Sequence, residues 1–278
     1  MKEASTGLCA GLPLLAMSRG SPKSSGVVKS EASLPIIGLV SEQKRILEAL
    51  EKHESLLLLG PRGCGKSTVI RAAIDARPAK SDIVYVPYSS ALHQLLISLA
   101  SALLQSGHRY LHQLASKPAS RKKWFSEQTS LHLKGLLWNA LEAEPRTIIL
   151  DEVDGASHPI FRFMQRLYFG KGMAIFAAAR DSVALGALSR LFWHPEKVIH
   201  FKPLSAIEAA QLFDIAVDRF HLGELDIEEF RRKVLDAADG NPGQIVEMCR
   251  LATNSQYVSG KYIKFAPLRI DAMMKFLS

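Results

Sequence analysis

The sequence has few cysteines and no long hydrophobic run, and each scarcity excludes a class of protein. Its three cysteines, Cys9, Cys64 and Cys249, are few and odd in number, which argues against a disulfide framework. They favour the cytoplasm or another reducing interior compartment. No stretch approaches 18 uninterrupted apolar residues, so no transmembrane helix is expected. Zinc-ligand spacings, a complete helix-turn-helix and internal repeats are also missing. What remains is a globular chain of 278 residues, long enough for one medium domain and a smaller one.

The N-terminal 33 residues lack hydrophobic periodicity and are rich in Ser, Gly, Pro and Lys, which predicts a flexible leader over residues 1–33. Their apolar segment, 8–17, is short, contains Gly11 and Pro13, and lacks a convincing cleavage site. A leader is therefore favoured over a signal peptide, and the folded protein is expected to begin at residue 34.

The net charge of +8 is concentrated between residues 34 and 203, where 22 Lys and Arg stand against 14 Asp and Glu. Residues 204–278 carry nine basic and eleven acidic side chains. Such a basic excess suits an anionic ligand, and part of it could face nucleic acid.

The most informative stretch is an apolar run that enters a glycine-rich loop. Residues 56–68 read LLLLGPRGCGKST and fit the pattern G-x-x-x-x-G-K-[ST]. Glycines let the backbone curl around phosphates with its N–H groups pointing inward. Lys66 would reach the β- and γ-phosphates, and the Ser67 hydroxyl would ligate Mg2+. The sequence therefore predicts a nucleoside triphosphate site formed by Gly60, Pro61, Arg62, Gly63, Cys64, Gly65, Lys66, Ser67 and Thr68.

A second motif follows at residues 147–154, which read TIILDEVD. Four strand-forming residues end in an acidic pair, the Walker B pattern. Asp151 would orient the hydration shell of Mg2+ beside Ser67, and Glu152 would polarise the attacking water. A P-loop kinase that transfers phosphate to a small acceptor does not need such a glutamate, whereas an ATPase does. The pair therefore favours hydrolysis of ATP to ADP and phosphate, with the kinase as an alternative.

Hydrophobic patterning predicts alternating strands and helices up to residue 203 and helices alone beyond it. The expected strands are 55–59, 82–87, 146–151, 173–178 and 197–201. The expected helices are 41–52 with Ser41 as N-cap, 67–76, 91–105, 124–142, 158–169, 182–191, 205–220, 227–238 and 242–252, with a loop over 107–123. Strands that alternate with helices imply a parallel sheet covered on both faces. We thus predict an αβ nucleotide-binding domain over 34–203 and a helical domain with a C-terminal tail over 204–278.

With these motifs, residues 34–255 resemble the AAA+ ATPases and their relatives, the STAND signalling NTPases. The resemblance implies a three-layer αβα P-loop fold with five parallel strands in the order 5-1-4-3-2, a helical lid, ATP and Mg2+ as ligands, and assembly into a homo- or hetero-oligomer. Residues 36–38 stand where that family has an apolar-glycine element, which implies that Ile37 and Gly38 contact adenine. The Gly-Asn-Pro-Gly sequence at 240–243 implies that Pro242 contacts the nucleotide from the lid.

Two arginines follow from the same resemblance. Arg180 succeeds the strand 173–178, and an arginine there could contact the γ-phosphate, although Ala177–Ala179 lack the polar side chain usual in AAA+ proteins. Arg190 resembles an arginine finger that reaches a neighbouring subunit's nucleotide. The family's lid arginine is replaced by Gly243, for which Arg250 is a weaker substitute.

One basic patch could bind DNA. Arg121, Lys122 and Lys123 directly precede Trp124 and Phe125, so basic groups could neutralise phosphates while an aromatic ring stacks on a base. The alternative is a solvated helix start whose aromatic side chains face the core. The leading hypothesis is an ATP-hydrolysing protein of the initiator or transposition-helper type, whose cycle changes an assembly. A STAND-like ATP/ADP switch with very slow turnover is the second.

Overall fold

Five apolar segments form one parallel β-sheet in the computed structural model, which describes residues 34–77, 82–114 and 121–277. The strands are β1 (Leu56–Leu59), β2 (Ile83–Pro87), β3 (Thr147–Val153), β4 (Ala174–Ala179) and β5 (Val198–His200). Their order across the sheet is β2-β3-β4-β1-β5, which is the predicted order 5-1-4-3-2 read from the other edge. The predicted αβα P-loop fold is confirmed. The leader predicted over 1–33 lies outside the described residues.

Helices cover both faces of this sheet. They are α1 (Val40–Lys52), α2 (Lys66–Asp75), α3 (Leu92–Gln105), α4 (Arg109–Leu114), α5 (Arg121–Glu127), α6 (Ser130–Ala143) and α7 (His158–Tyr168). Side chains alternate along each strand, so Leu56 and Leu58 of β1 pack with α1 and α2. Leu57 and Leu59 face the opposite core, with α3, α6 and α7. Within the described ranges, every helix is too short or too polar to serve as a membrane span.

The chain after residue 203 builds a second core from helices. This helical region contains α8 (Ala206–Arg219), α9 (Ile227–Ala238), α10 (Pro242–Leu251) and α11 (Phe265–Leu277), with a small hairpin of β6 (Val258–Ser259) and β7 (Tyr262–Ile263) before α11. Leu268 and Ala272 of α11 are buried in this core, so the C-terminal tail packs on the preceding helices. The described residues from 34 to 277 form one compact unit, and a domain boundary at 203 stays a prediction.

The structure corrects two predictions between residues 107 and 142. The expected loop 107–123 contains α4 and the start of α5, and the expected single helix 124–142 is divided between α5 and α6. Thr129 causes this break because its side chain accepts a hydrogen bond from the His132 N–H at 3.2 Å and caps α6. A capping residue inside an apolar pattern interrupts a helix that periodicity alone would continue.

Two further predictions of local structure are wrong. Leu39, not Ser41, occupies the N-cap of α1, and the Ser41 hydroxyl instead donates to the Glu42 carboxylate at 2.8 Å. The expected helix 182–191 is limited to a 3-10 helix over Gly186–Leu191. Before this 3-10 helix, the Asp181 carboxylate accepts a hydrogen bond from the Ala184 N–H at 2.7 Å, which holds the chain in a tight turn.

Candidate nucleotide-binding site

The glycine-rich loop joins the end of β1 to the first residue of α2. Gly63 and Gly65 have φ angles of +81° and +97°. Glycine adopts such angles readily, whereas a residue with a side chain would be strained there. Gly65 is the N-cap of α2, and no side-chain oxygen caps the helix. The first backbone N–H groups of α2 therefore lack intrahelical partners at the positive end of the helix dipole, an arrangement suited to phosphate.

Lys66 is held inside this loop by the loop's own backbone. Its ammonium donates to the carbonyls of Gly60 at 2.6 Å and Pro61 at 2.9 Å, and it lies 3.6 Å from the Cys64 sulfur. Burial raises the pKa of the Cys64 thiol, although the charge of Lys66 opposes this effect. The phosphate of a nucleotide, as a charged acceptor, would compete well for an ammonium held by neutral carbonyls.

A cavity of about 610 Å3 opens where the loop, β3, the helical region and the segment before α1 meet. This volume lies within the range of small-ligand sites. Of the predicted site residues, those that line it are Ile37, Arg62, Gly63, Gly65, Lys66, Ser67, Thr68, Asp151, Glu152, Arg180 and Pro242. Its described lining does not include Gly38, Gly60, Pro61, Cys64 and Arg190.

Some of these other residues have structural contacts behind the site. Pro61 and Cys64 line a smaller cavity of about 240 Å3 between the loop and the helical region. Gly38, with φ +72°, lies against the start of α8, since an added Cβ would be 2.8 Å from Glu208 Cδ of that helix. The Gly60 carbonyl is a Lys66 acceptor. They shape the site without lining the main cavity.

Asp151 lies at the carboxyl end of β3 with 7% of its surface exposed. Its Oδ2 accepts a hydrogen bond from the Tyr85 hydroxyl of the neighbouring strand β2, and its Oδ1 accepts one from the Glu152 N–H at 3.0 Å. Burial and the hydrogen bond to Asp151 raise the pKa of Tyr85 to about 12, so the phenol stays a donor at neutral pH. Sequence reasoning missed Tyr85, although the predicted strand order already placed 82–87 beside 146–151.

Glu152 adopts an unusual backbone conformation directly after Asp151. Its φ is +55°, and the register of β3 against β4 shifts between Leu150 and Val153. Such bulges re-aim side chains, and strain of this kind concentrates at functional sites. As a result Asp151 is buried while Glu152 is exposed and lines the cavity.

The oxygen donors of this site suit Mg2+ that arrives with a nucleotide. The Ser67 hydroxyl and the Asp151 carboxylate both line the cavity. Among the described residues, no group of three or more His, Cys, Asp or Glu side chains is arranged to hold a metal by itself. Mg2+ at triphosphate sites is bound through one or two protein oxygens together with the phosphates, so this donor set fits it.

The helical region donates two hydrogen bonds to backbone carbonyls of the glycine-rich loop. The Gly243 N–H donates to the Gly63 carbonyl at 2.9 Å, and the Asn241 side-chain amide donates to the Arg62 carbonyl at 2.8 Å. A Cβ at position 243 would lie 2.7 Å from Gly63 Cα, closer than real contacts allow. A side chain such as arginine is therefore incompatible with this contact, which accounts for the glycine at this position.

Replacing Gly243 with alanine is expected to lower the free energy of unfolding by about 1–3 kcal/mol, because the new methyl group overpacks against backbone. Gly223→Ala is the matched control, since a Cβ there meets nothing within 4 Å. Urea unfolding of both variants measures the difference. Equal stability of the two variants would show that the Gly243–Gly63 contact does not form.

The two predicted arginines occupy different surroundings. Arg180 lines the cavity with 64% of its side chain exposed, and its Nε lies 3.2 Å from Asp181 Oδ2. The hydrogen bond from Ala184 N–H is the main reason that the pKa of Asp181 is lowered, with a further contribution from Arg180. Arg190 is exposed on the 3-10 helix, with its guanidinium 5.9 Å from the centre of the Phe161 ring.

The basic patch keeps its aromatic side chains largely inward. Phe125 is 1% exposed and packs in the sheet core, and Trp124 is half-buried against it. The DNA-binding hypothesis needs an aromatic ring that stacks on a base, and Phe125 is too buried to do so. Lys123 is exposed, whereas the side chains of Arg121 and Lys122 lie outside the described part of the structure.

Comparison with known proteins agrees with this geometry. Residues 49–183 match the family described as AAA domain, and no curated protein matches the chain. The structure of Cdc6p from Pyrobaculum aerophilum is 16% identical with a TM-score of 0.57, over 84% of this chain and 66% of that one. The Walker-type ATPase of Pyrococcus abyssi is 16% identical with a TM-score of 0.52, over 87% and 71%. At this identity the likeness concerns the fold, and this chain spans slightly less than two thirds of the Cdc6p chain. Residues 49–183 are thus similar to the AAA domain family, and the chain shares its fold with these two solved structures.

Proposed function

We propose that this protein binds Mg-ATP and hydrolyses it to drive a conformational change or an assembly. The observation that carries the proposal is that one cavity gathers the loop cation, the hydroxyl and both acidic residues of the two motifs, Lys66, Ser67, Asp151 and Glu152. These groups come from two separate stretches of the chain, and each has a distinct task in phosphoryl chemistry.

Binding is assigned to the loop and its surroundings. The N–H groups at the start of α2 and the Lys66 ammonium would hold the phosphates, while Ser67 and Asp151 would hold Mg2+ and its water ligands. Ile37 from the segment before α1, together with Leu212 and Pro242 from the helical region, lines the cavity with apolar surface suited to adenine.

Hydrolysis is assigned to Glu152. Its carboxylate is exposed at the cavity, whereas the Asp151 carboxylate is engaged by Tyr85 and by backbone. Of this acidic pair, Glu152 is therefore the one placed to accept a proton from an attacking water. Arg180 at the same cavity would stabilise charge on the γ-phosphate. A kinase would require an acceptor in place of this water.

Lys66→Met should weaken the binding of a non-hydrolysable ATP analogue at least tenfold, about the effect of losing one charged hydrogen bond. Titration calorimetry with Mg2+ measures this affinity, and phosphate release measures turnover. Lys233→Met is the matched control, because Lys233 forms a 2.6 Å ion pair with Glu229 on α9. Equal affinity and turnover in wild type and Lys66→Met would overturn the proposal. Transfer of phosphate to a small acceptor would favour the kinase.

A further inference from the structure

Tyr85 and Asp151 lie on the side of the sheet that faces α2. In the register of β2 and β3, Tyr85 pairs with Ile149, two residues before Asp151. Side chains two residues apart on a strand point to the same face of a sheet. Ile149 and Tyr85 both belong to the core that packs with α1 and α2. The Asp151 side chain is therefore directed to the face covered by α2, the helix that carries Ser67.

The Tyr85 ring is also in contact with a residue of α2 itself. Arg71 follows Ser67 by four residues in this helix, so both lie on the same side of it. The Arg71 guanidinium carbon is 5.7 Å from the centre of the Tyr85 ring, a distance at which a cation attracts an aromatic face. Tyr85 thus connects α2 and β3, the two elements that carry the oxygens assigned to Mg2+.

Both oxygens of the Asp151 carboxylate accept hydrogen bonds. Oδ1 accepts one from the Glu152 N–H at 3.0 Å, and Oδ2 accepts one from the Tyr85 hydroxyl. The first donor is the adjacent residue in the chain, whereas Tyr85 belongs to another strand and relates the carboxylate to the rest of the sheet. An ionised carboxylate has about four lone-pair sites, so Asp151 can still face a metal ion or its water ligands.

We propose that Tyr85 is a positioning residue for Mg2+ at the nucleotide site: its hydroxyl orients the Asp151 carboxylate, and Arg71 holds its ring. Partners of this kind fix the orientation of the groups that bind a metal. A phenylalanine at position 85 would keep the ring but leave Asp151 Oδ2 without this donor. The inference rests on the proposed nucleotide-binding function and assigns a role to a residue outside both motifs.

Tyr85→Phe should reduce the gain in affinity that Mg2+ gives to a non-hydrolysable ATP analogue about tenfold, the lower end of the usual effect for such a partner. Affinity in EDTA should equal that of wild type, because Asp151 is assigned to the metal and not to the nucleotide. Calorimetric titration of the analogue with MgCl2 and with EDTA measures both affinities. In phosphate release, the half-saturating concentration of Mg2+ should rise while turnover at saturating Mg2+ stays nearly unchanged.

Tyr257→Phe is the matched control for loss of a tyrosine hydroxyl. The Tyr257 hydroxyl also donates to a carboxylate, that of Asp271 on α11, and neither residue belongs to the described lining of the cavity. Its loss should lower the melting temperature without changing the effect of Mg2+. Arg71→Met should reduce the Mg2+ gain less than Tyr85→Phe does, because Arg71 acts through the tyrosine.

The outcomes distinguish a positioning role from a structural one. An equal loss for Tyr85→Phe with MgCl2 and with EDTA, or the same loss in Tyr257→Phe, would mean that Tyr85 only stabilises the fold, and the inference would be wrong. A larger loss in Arg71→Met than in Tyr85→Phe would also contradict it. An unchanged Mg2+ gain in Tyr85→Phe would overturn it, while Lys66→Met still lowered affinity and the proposed function stood. If Lys66→Met had no effect either, the proposed function itself would fall, and this inference with it.

Discussion

Replacing Arg190 with alanine is expected to lower ATP turnover by about 10³-fold or more in the assembled protein, the effect of arginine fingers in related phosphoryl-transfer systems. ATP affinity should stay unchanged. The reason is geometric, because Arg190 is exposed and lies outside the described lining of its own chain's cavity. A guanidinium in this position can stabilise the charge of a transferring phosphate only in a neighbouring copy or partner.

The measurement is steady-state phosphate release against protein concentration, with and without duplex DNA. Wild-type turnover per chain should rise with concentration, and Arg190→Ala should not follow it. Arg162→Ala is the control, since Arg162 is also exposed and its Nε lies 3.2 Å from His158 on α7. An equal loss in dilute monomer and in assembly would exclude action between subunits. Faster turnover with DNA would support DNA as a partner, with residues 121–123 as the candidate contact. Negligible turnover under all conditions would favour the STAND-like ATP/ADP switch.

Replacing Glu152 with glutamine is expected to lower turnover by about 10²- to 10⁴-fold, the usual contribution of a general base. The amide has nearly the same shape and cannot accept the proton of the attacking water. Binding of Mg-ATP should persist, because Ser67 and Asp151, which we assign to the metal, are unchanged. Loss of a negative charge next to the phosphates also favours binding.

Single-turnover phosphate release and calorimetric affinity separate these two effects. Asp154→Asn provides the control, because Asp154 lines the same cavity and its replacement removes the same charge. Turnover that falls equally in the two variants would remove Glu152 from the chemistry and leave only a general electrostatic effect.

The sequence was sufficient to predict the fold, and most of the site residues that it predicts line the cavity. Strand order followed from the family that the two motifs resemble, and it agrees with the observed β2-β3-β4-β1-β5 sheet. The sequence could identify Ser67, Asp151 and Glu152 as site residues because each lies in a short sequence motif. The strand and the turn of such a motif are predictable from neighbouring residues. The break at Thr129 was missed, since a hydrogen bond to one backbone N–H ended a helix that apolar spacing continues.

Other site residues could not be found in this way because their partners are distant in the chain. Tyr85 meets Asp151 across 66 residues, and Asn241 meets Arg62 across 179. Lys275 joins Glu247 from another helix. The partners in each pair are far apart in the sequence, so neither hydrophobic periodicity nor a local motif can predict their contact.

By itself, the sequence determined the glycine-rich loop, the acidic pair and the parallel sheet. The loop and the acidic pair each depend on residues within about one strand and one turn of each other, where backbone preference and side-chain chemistry act directly. The parallel sheet follows from the alternation of strands and helices along the chain. Only the tertiary structure decided how the helical region meets the loop. It placed Gly243 against Gly63, and it brought Glu152 and Lys275 to the cavity. Those arrangements depend on close packing between distant segments, which is set by the whole folded chain and not by any segment alone.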